Sequence, residues 1–331
     1  MRALLLGSVV LVSLAACDFT PTLDIDTPDF VPGLTIRSVL VADSTVVVYL
    51  DESWDPYQDR PAGNRTSEPE TIPAVVTLSR NGVVIETLTV RAEECYDWGP
   101  DPDTTPSPEA YECGPYVGVV PVEASATYTV RAEAEGWPVV EGTVTVPRRP
   151  TLDVVEETAE ADDNRRFRVR LSDPAGLGDR YGLTLYSYAT VGYGVICENG
   201  VCRDTTFAIQ DPDFYPLSFD TSDPVILSAA AEIAGSGISF ASFPDDTFDG
   251  REKTFTISPS GRYAQGYRNS RLRVQVAALS ADLYDAYRIS YFSGGQDNPF
   301  AEPVNLPTNV VGGYGMVGAV TLAEVTFAPR E

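Results

Sequence analysis

Short runs in which apolar and polar residues alternate dominate the chain, and few stretches carry the wider spacing of an amphipathic helix. Runs of this kind lie at 34–41, 45–50, 74–78, 83–90, 117–122, 126–134 and 139–146. Period-two alternation places one set of side chains on a buried sheet face and the other toward water. Turn residues such as Asn81-Gly82 and Glu135-Gly136 separate several of these runs. Seven short strands over 33–147 with hairpin signals between them predict an antiparallel β-sandwich of immunoglobulin type. Pro147-Arg148-Arg149-Pro150 interrupts the pattern and sets the boundary of a second, β-rich unit over 151–331.

That second unit opens with Phe167-Arg168-Val169-Arg170-Leu171 and continues through strand-like runs at 181–191, 204–209, 225–228, 253–258, 271–278 and 317–327. One helix interrupts it. Ser280 stands at a capping position, Asp282 in the first turn, and Leu283, Tyr284, Tyr287 and Tyr291 recur at helical spacing. The expected class is therefore mainly all-β, with one short helix in the C-terminal domain and no fixed-period repeat.

The amino-terminal residues follow a different logic. Arg2 precedes an apolar run from Ala3 to Ala15, which is too short for a permanent membrane-spanning helix. Leu14-Ala15-Ala16-Cys17 matches a lipobox, so residues 1–16 are expected to be removed and Cys17 to carry the lipid. Residues 17–32, rich in Asp and Pro, then form an acidic tether. The lipid is expected to hold the protein at a membrane without spanning it, and Asp18 directly after Cys17 leaves open which membrane and which face.

An exported context gives the remaining cysteines a meaning. Cys95, Cys113, Cys197 and Cys202 are an even set expected to form disulfides. Asn199-Gly200 is a preferred two-residue hairpin turn, which sets Cys197 opposite Cys202. Cys95 and Cys113 then bracket an acidic, Pro-rich loop whose closure restricts the unfolded chain by about 3 kcal/mol. A zinc site is disfavoured, because two Cys five apart without His form a poor ligand set.

Charge narrows the chemistry. The chain has 331 residues, with 48 Asp plus Glu against 23 Lys plus Arg, no His, and a net charge of −25. Lys253 is its only lysine. Without His, the Ser-His-Asp and Cys-His nucleophiles are excluded, as are imidazole-based metal sites. The acidic field also disfavours nucleic acid as a partner.

Candidate binding chemistry is sparse, and no catalytic, metal or cofactor residue is assigned. Asp245-Asp246-Thr247-Phe248-Asp249-Gly250 offers oxygen ligands but fails the EF-hand pattern, and a turn exposing solvated carboxylates is the favoured reading. Tyr181, Tyr186, Tyr188 and Tyr193, with Tyr263 and Tyr267, could stack a sugar or peptide, although strand tyrosines more often pack. Glu93-Glu94, Glu156-Glu157 and Asp162-Asp163 pair carboxylates, but glycoside hydrolysis needs a defined separation across a cleft. Asn298-Pro299-Phe300 reads as a turn that sends an aromatic inward, with Pro303 ending the segment. Gly312, Gly313, Gly315 and Gly318 lack the Lys-Ser/Thr of a phosphate loop and read as close-packing positions.

Several of these elements together resemble a known family. They are Arg271 to Ser280, Tyr284 and Tyr287, Asn298-Pro299-Phe300-Ala301-Glu302-Pro303, Asn309, Gly312-Gly313-Tyr314-Gly315 and Gly318-Ala319, with Asp245 to Gly250 upstream. With the lipobox, this pattern resembles Bacteroidetes-type lipoproteins catalogued as domain of unknown function 4249. The resemblance runs over most of the mature chain and is strongest from about 240 to 320. The cysteine pairs and Met316, where a bulkier aromatic is more usual, depart from it. The resemblance implies a lipid-anchored accessory of a TonB-dependent receptor, located in the outer membrane on its periplasmic face or at the cell surface. With no His and no catalytic constellation the expected role is non-enzymatic, in ligand capture or gating. The alternatives are a structural or adhesive surface β-sandwich protein and, more weakly, a carboxylate-dependent glycan hydrolase. Expected partners are the membrane through the lipid, such a receptor, and a glycan or peptide ligand.

Overall fold

A computed structural model describes residues 30–53, 72–91, 93–95, 111–159, 165–176, 178–198, 201–230, 238, 240–260, 270–292 and 307–329. The lipobox with Cys17, most of the tether, the Asn298 to Pro303 segment, Tyr263 and Tyr267 lie outside the described residues. No helix among those described is long and apolar enough to cross a membrane.

The first half folds as a sandwich along the predicted runs, but the 83–90 run divides into two strands on different sheets. Glu93–Cys95 and Tyr111–Cys113, absent from the seven expected strands, form a separate two-stranded ladder. Its strands are β1 (Leu34–Val41), β2 (Thr45–Glu52), β3 (Ala74–Arg80), β4 (Val83–Thr87), β5 (Thr89–Val90), β6 (Glu93–Cys95), β7 (Tyr111–Cys113), β8 (Tyr116–Pro121), β9 (Thr127–Ala134) and β10 (Val140–Thr145). One sheet holds β1-β2-β8-β5, and the facing sheet holds β10-β9-β3-β4. Ile36, Leu40, Val48, Val76, Leu78, Tyr128 and Val130 interdigitate between them as one apolar cluster. This is an immunoglobulin-like sandwich. At the β3–β4 turn both Asn81 and Gly82 have positive φ, 51° and 80°, as an Asn-Gly hairpin requires.

The second half is a further sandwich built from β11 (Thr151–Ala159), β12 (Arg165–Ser172), β13 (Arg180–Glu198), β14 (Val201–Leu217), β15 (Phe219–Thr221), helix α1 (Pro224–Ala230), β16 (Ala241–Pro244), β17 (Glu252–Pro259), β18 (Leu272–Leu279), helix α2 (Ala281–Phe292), β19 (Val310–Val311) and β20 (Tyr314–Phe327). The sheet β11-β12-β17-β15 covers the β14-β13-β18-β20 portion of the large sheet, and β16 pairs with β13. Phe167, Phe219, Phe243, Phe255, Leu183 and Val274 fill the space between.

The run at 225–228, expected as strand, is instead part of helix α1. Asp223 explains the difference: its side chain accepts from the Val225 amide at 2.9 Å and its carbonyl from the Leu227 amide at 2.9 Å. Pro224 follows as the first helical residue, where its fixed φ suits the helix and no amide is missed. Helix α2 begins where expected, yet the Ser280 hydroxyl accepts from the Ala319 amide, 3.1 Å away, and so ties the helix to β20.

Strand β20 belongs to both sandwiches. Over Tyr314 to Val320 it runs parallel to β1, and over Val320 to Phe327 it runs antiparallel to β18. Strand β19 pairs with β10 on the facing sheet. The C-terminal residues thus complete the first sandwich, although the sequence pattern places them wholly in the second unit.

Candidate functional site

Two turns cross between the sheets of the second sandwich in opposite directions. The first, residues 173–179, leaves β12 and enters β13; the second, residues 245–251, leaves β16 and enters β17. Ser172 pairs with Glu252 and Arg180 with Pro244, so the turns run side by side at one end of the sandwich.

Their carboxylates converge. One oxygen from each of Asp173, Asp179 and Asp245 lies within 4.8 Å of the others. Asp173 accepts from the Gly250 amide at 2.7 Å and, through its other oxygen, from the Tyr181 phenol. Asp245 accepts from the Gly178 amide at 3.2 Å, and its own amide donates to the Asp179 carbonyl at 3.1 Å. Gly250 presents its amide at φ 64°, a conformation that a side chain disfavours. Asp249 stands beside the cluster and accepts from the Gly176 amide at 2.8 Å.

Burial makes this grouping costly. Asp245 is fully buried and Asp173 is 8% exposed. The Oδ2 atoms of Asp245 and Asp179 are buried without a hydrogen-bond partner among the described residues. The compensating cation is Arg148 of the inter-sandwich connection, whose guanidinium lies 3.6 Å from Asp179 and donates to the Ala175 carbonyl at 2.9 Å. Burial holds the Asp179 carboxyl above the usual range; Arg148 opposes the shift, and Asp173, Asp245 and Asp249 reinforce it. The Tyr181 phenol is also pushed up, first by burial and then by its hydrogen bond to Asp173 and the nearby carboxylates.

The sequence pattern singled out Asp245, Asp246, Asp249 and Gly250 but not Asp173 or Asp179. Only Asp246 fits the expected solvated turn as an exposed carboxylate, whereas Asp245 is wholly buried because Phe248 beside it packs into the core. The missing partners lie 66 and 72 positions upstream of Asp245, a separation that motif reading does not bridge. Their local signal is an Asp at each end of a Pro- and Gly-containing turn.

Other candidates separate by face. Tyr181 points into the core and is 1% exposed. Tyr186 and Tyr188 lie on the opposite, outer face. There Tyr186 meets Gln275 at 3.4 Å, Tyr188 packs on Phe214 with ring centres 5.2 Å apart, and Arg271 and Arg273 cover those two rings. The side chain of Tyr193 lies outside the described residues. Glu156 pairs with Arg168 at 2.8 Å and Glu157 with buried Arg165 at 2.9 Å. Asp162 and Asp163 are outside the described residues.

The glycine element packs backbone on backbone. Gly315 has φ 101°, and a Cβ there would fall on the Ile36 carbonyl of the parallel neighbour β1. Gly312 and Gly313 abut Val139, Val140 and Leu34, while Gly318 lies under Leu283 of α2. Asn309 fastens this element: its amide donates to the Val317 carbonyl at 2.8 Å, Thr143 at 3.1 Å and Asp282 at 3.1 Å, and its oxygen accepts from the Val317 amide at 3.0 Å.

Strands β13 and β14 form a ribbon that outruns the sheet. Strand β13 pairs with β18 only as far as Ser187, while its ladder with β14 continues to Glu198 opposite Val201. Cys202 is disulfide-bonded, and Cys197 is the residue facing it across the ladder. In the β6–β7 ladder Cys95 faces Tyr111 and Cys113 faces Glu93, which puts the two cysteines on one face in diagonal positions. Their side chains lie outside the described residues.

These features define an all-β protein of two sandwiches joined by a common strand. No family model and no curated protein matches the chain. Among solved structures, Salmonella alpha-2-macroglobulin reacted with methylamine is similar at 12% identity and a TM-score of 0.21, over 93% of this chain and 15% of that one. Escherichia coli alpha-2-macroglobulin activated by porcine elastase gives 13% identity and 0.19, over 91% and 20%. The full-length major pilin SpaD from Corynebacterium diphtheriae gives 8% identity and 0.21, over 91% and 66%. The chain thus spans a fifth or less of the macroglobulins, and likenesses of this size carry no argument about function.

Proposed function

We propose that the chain is a non-enzymatic, lipid-anchored accessory protein of the outer membrane, which assists a TonB-dependent receptor in capturing its ligand or in gating. The observation that carries this reading is the β13–β14 ribbon. It runs about 36 Å past the last β18 pairing, at about 3.3 Å per residue, as a two-stranded ladder with no third strand beside it among the described residues, the kind of edge that a partner strand can pair with. The lipobox at Cys17 supports membrane attachment, and the motif resemblance supports the receptor as partner. The absence of His from the sequence agrees with a role without acid-base chemistry at neutral pH.

The alternative is a structural or adhesive surface protein, which the sharing of β20 by both sandwiches favours, since a hydrogen-bonded junction suits a stiff display element. Purification of the lipid-bearing protein from detergent-solubilised membranes separates the two. An accessory brings down a TonB-dependent receptor, and loses it when residues 191–208 are replaced by a short turn. Recovery without any receptor overturns the accessory reading and leaves the structural one.

A further inference from the structure

We propose that Asp173, Asp179 and Asp245 bind one calcium ion, which bridges the two turns that cross between the sheets of the second sandwich. Among the described residues Arg148 is the guanidinium paired with these three carboxylates, and Asp249 adds a further carboxylate close by, so the cluster carries at least two negative charges more than its neighbours neutralise. A divalent cation supplies that balance. Proximity of acids alone would not point to a ligand, because acidic side chains often gather harmlessly at a wet surface. Here Asp245 is fully buried, and its Oδ2 has no hydrogen-bond partner among the described residues. A buried carboxylate oxygen left in that state is strongly disfavoured unless something binds it.

The remaining atoms are already arranged around such an ion. Amides of Gly178 and Gly250 hold one oxygen of Asp245 and one of Asp173, which fixes the orientation of both carboxylates. The three oxygens lie within 4.8 Å of one another. Carboxylates carried on two separate turns suit calcium, which accepts flexible geometry at about 2.3–2.6 Å, better than magnesium, which demands a near-ideal octahedron at about 2.0–2.1 Å. All three ligands are hard oxygen donors of the kind calcium takes, and thiolate or imidazole ligands are absent from the grouping. Because Arg148 lies in the connection between the sandwiches and also touches Ala175, the ion would fix the junction as well as the turns.

Isothermal titration of the full mature chain with calcium chloride, after treatment with chelator, tests the assignment. One ion is expected per chain, with the unfolding midpoint rising by about 5 °C at a hundredfold excess over Kd. Magnesium at the same concentration should give a shift less than half as large. Asp179→Asn removes one ligand at a half-buried position and should weaken calcium binding at least tenfold, and Asp245→Asn should abolish it. Asp246→Asn, an exposed carboxylate on the same turn, should bind as the parent does. Should Asp245→Asn fail to fold, the parent and Asp179→Asn decide the matter. The proposal is overturned by the absence of both heat and midpoint shift up to millimolar calcium, by undiminished binding in Asp179→Asn, or by loss of binding in Asp246→Asn. A cluster that sheds its charge by retaining protons would show the first of these results.

Discussion

The two sandwiches bury different chemistry. Among the described residues the first encloses one buried polar side chain, Ser38, whose hydroxyl donates to the Val47 carbonyl at 2.8 Å. The second encloses Arg165, Asp173, Asp245, Ser187 and Ser260, and Ser280 and Thr321 lie where it meets the first. Within the second, the buried charges differ again. Arg165 pairs with Glu157 and donates to the Ser270 and Ala328 carbonyls at 2.7 Å each, so its charge is answered on every side. Asp245 leaves one oxygen unanswered. A satisfied buried charge is architecture, whereas an unsatisfied one points to something the fold is built to hold.

Arg165 offers the sharpest way to break this contrast. Arg165→Met should cost about 3 kcal/mol in chemical denaturation, because partly buried Glu157 and two carbonyls lose the donor that buried Arg165 supplies. A loss under about 1 kcal/mol would mean that the guanidinium is not the clamp described. Asn309 comes next, since it joins Thr143 of the first sandwich to Asp282 and Val317 at the junction. Asn309→Leu should cost about 2 kcal/mol and split a single calorimetric transition into two as the sandwiches uncouple.

Alkaline titration gives an effect that starts from nothing at neutral pH and grows with pH. Burial raises the phenols of Tyr181 and Tyr284 in the second sandwich and of Tyr116 in the first, so each keeps its proton when folded beyond the pH at which the unfolded chain releases it. Stability from these groups is complete below about pH 10 and falls above it, by at most about 1.4 kcal/mol per pH unit for each phenol. Denaturation midpoints measured from pH 9 to 11.5 should decline, and the paired substitution of Tyr181 and Tyr284 by Phe should flatten the decline more than Tyr116→Phe.

The first sandwich is legible because its core strands β1, β2, β9 and β10 are amphipathic with period two and form the hairpins β1–β2 and β9–β10 with near neighbours. Val46, Val48 and Leu50 mark β2 directly. Legibility failed where position depends on distant residues. The two-residue strand β19 and the first half of β20 pair with strands at the other end of the chain, and nothing local to Tyr314 announces Thr35 as its partner. Strand β11 carries no clear sequence signal, because Val154 and Val155 are half exposed beside a bulge, which blurs the alternation. At the candidate site the sequence offered Asp245 and Asp249 but hid Asp173 and Asp179, because only the crossing of two turns brings them together. The glycines of 312–318 were read as close-packing positions, and their neighbours on β1, β10 and α2 explain why.

Amide hydrogen exchange of the mature chain, compared with calcium and with chelator, tests most directly whether the unanswered carboxylates of the second sandwich are a binding site. Calcium should slow exchange at 173–180 and 245–251, with a smaller effect at the 147–150 connection, and leave β1 to β10 unchanged. Equal exchange in both conditions, or protection that appears only in the first sandwich, would contradict it.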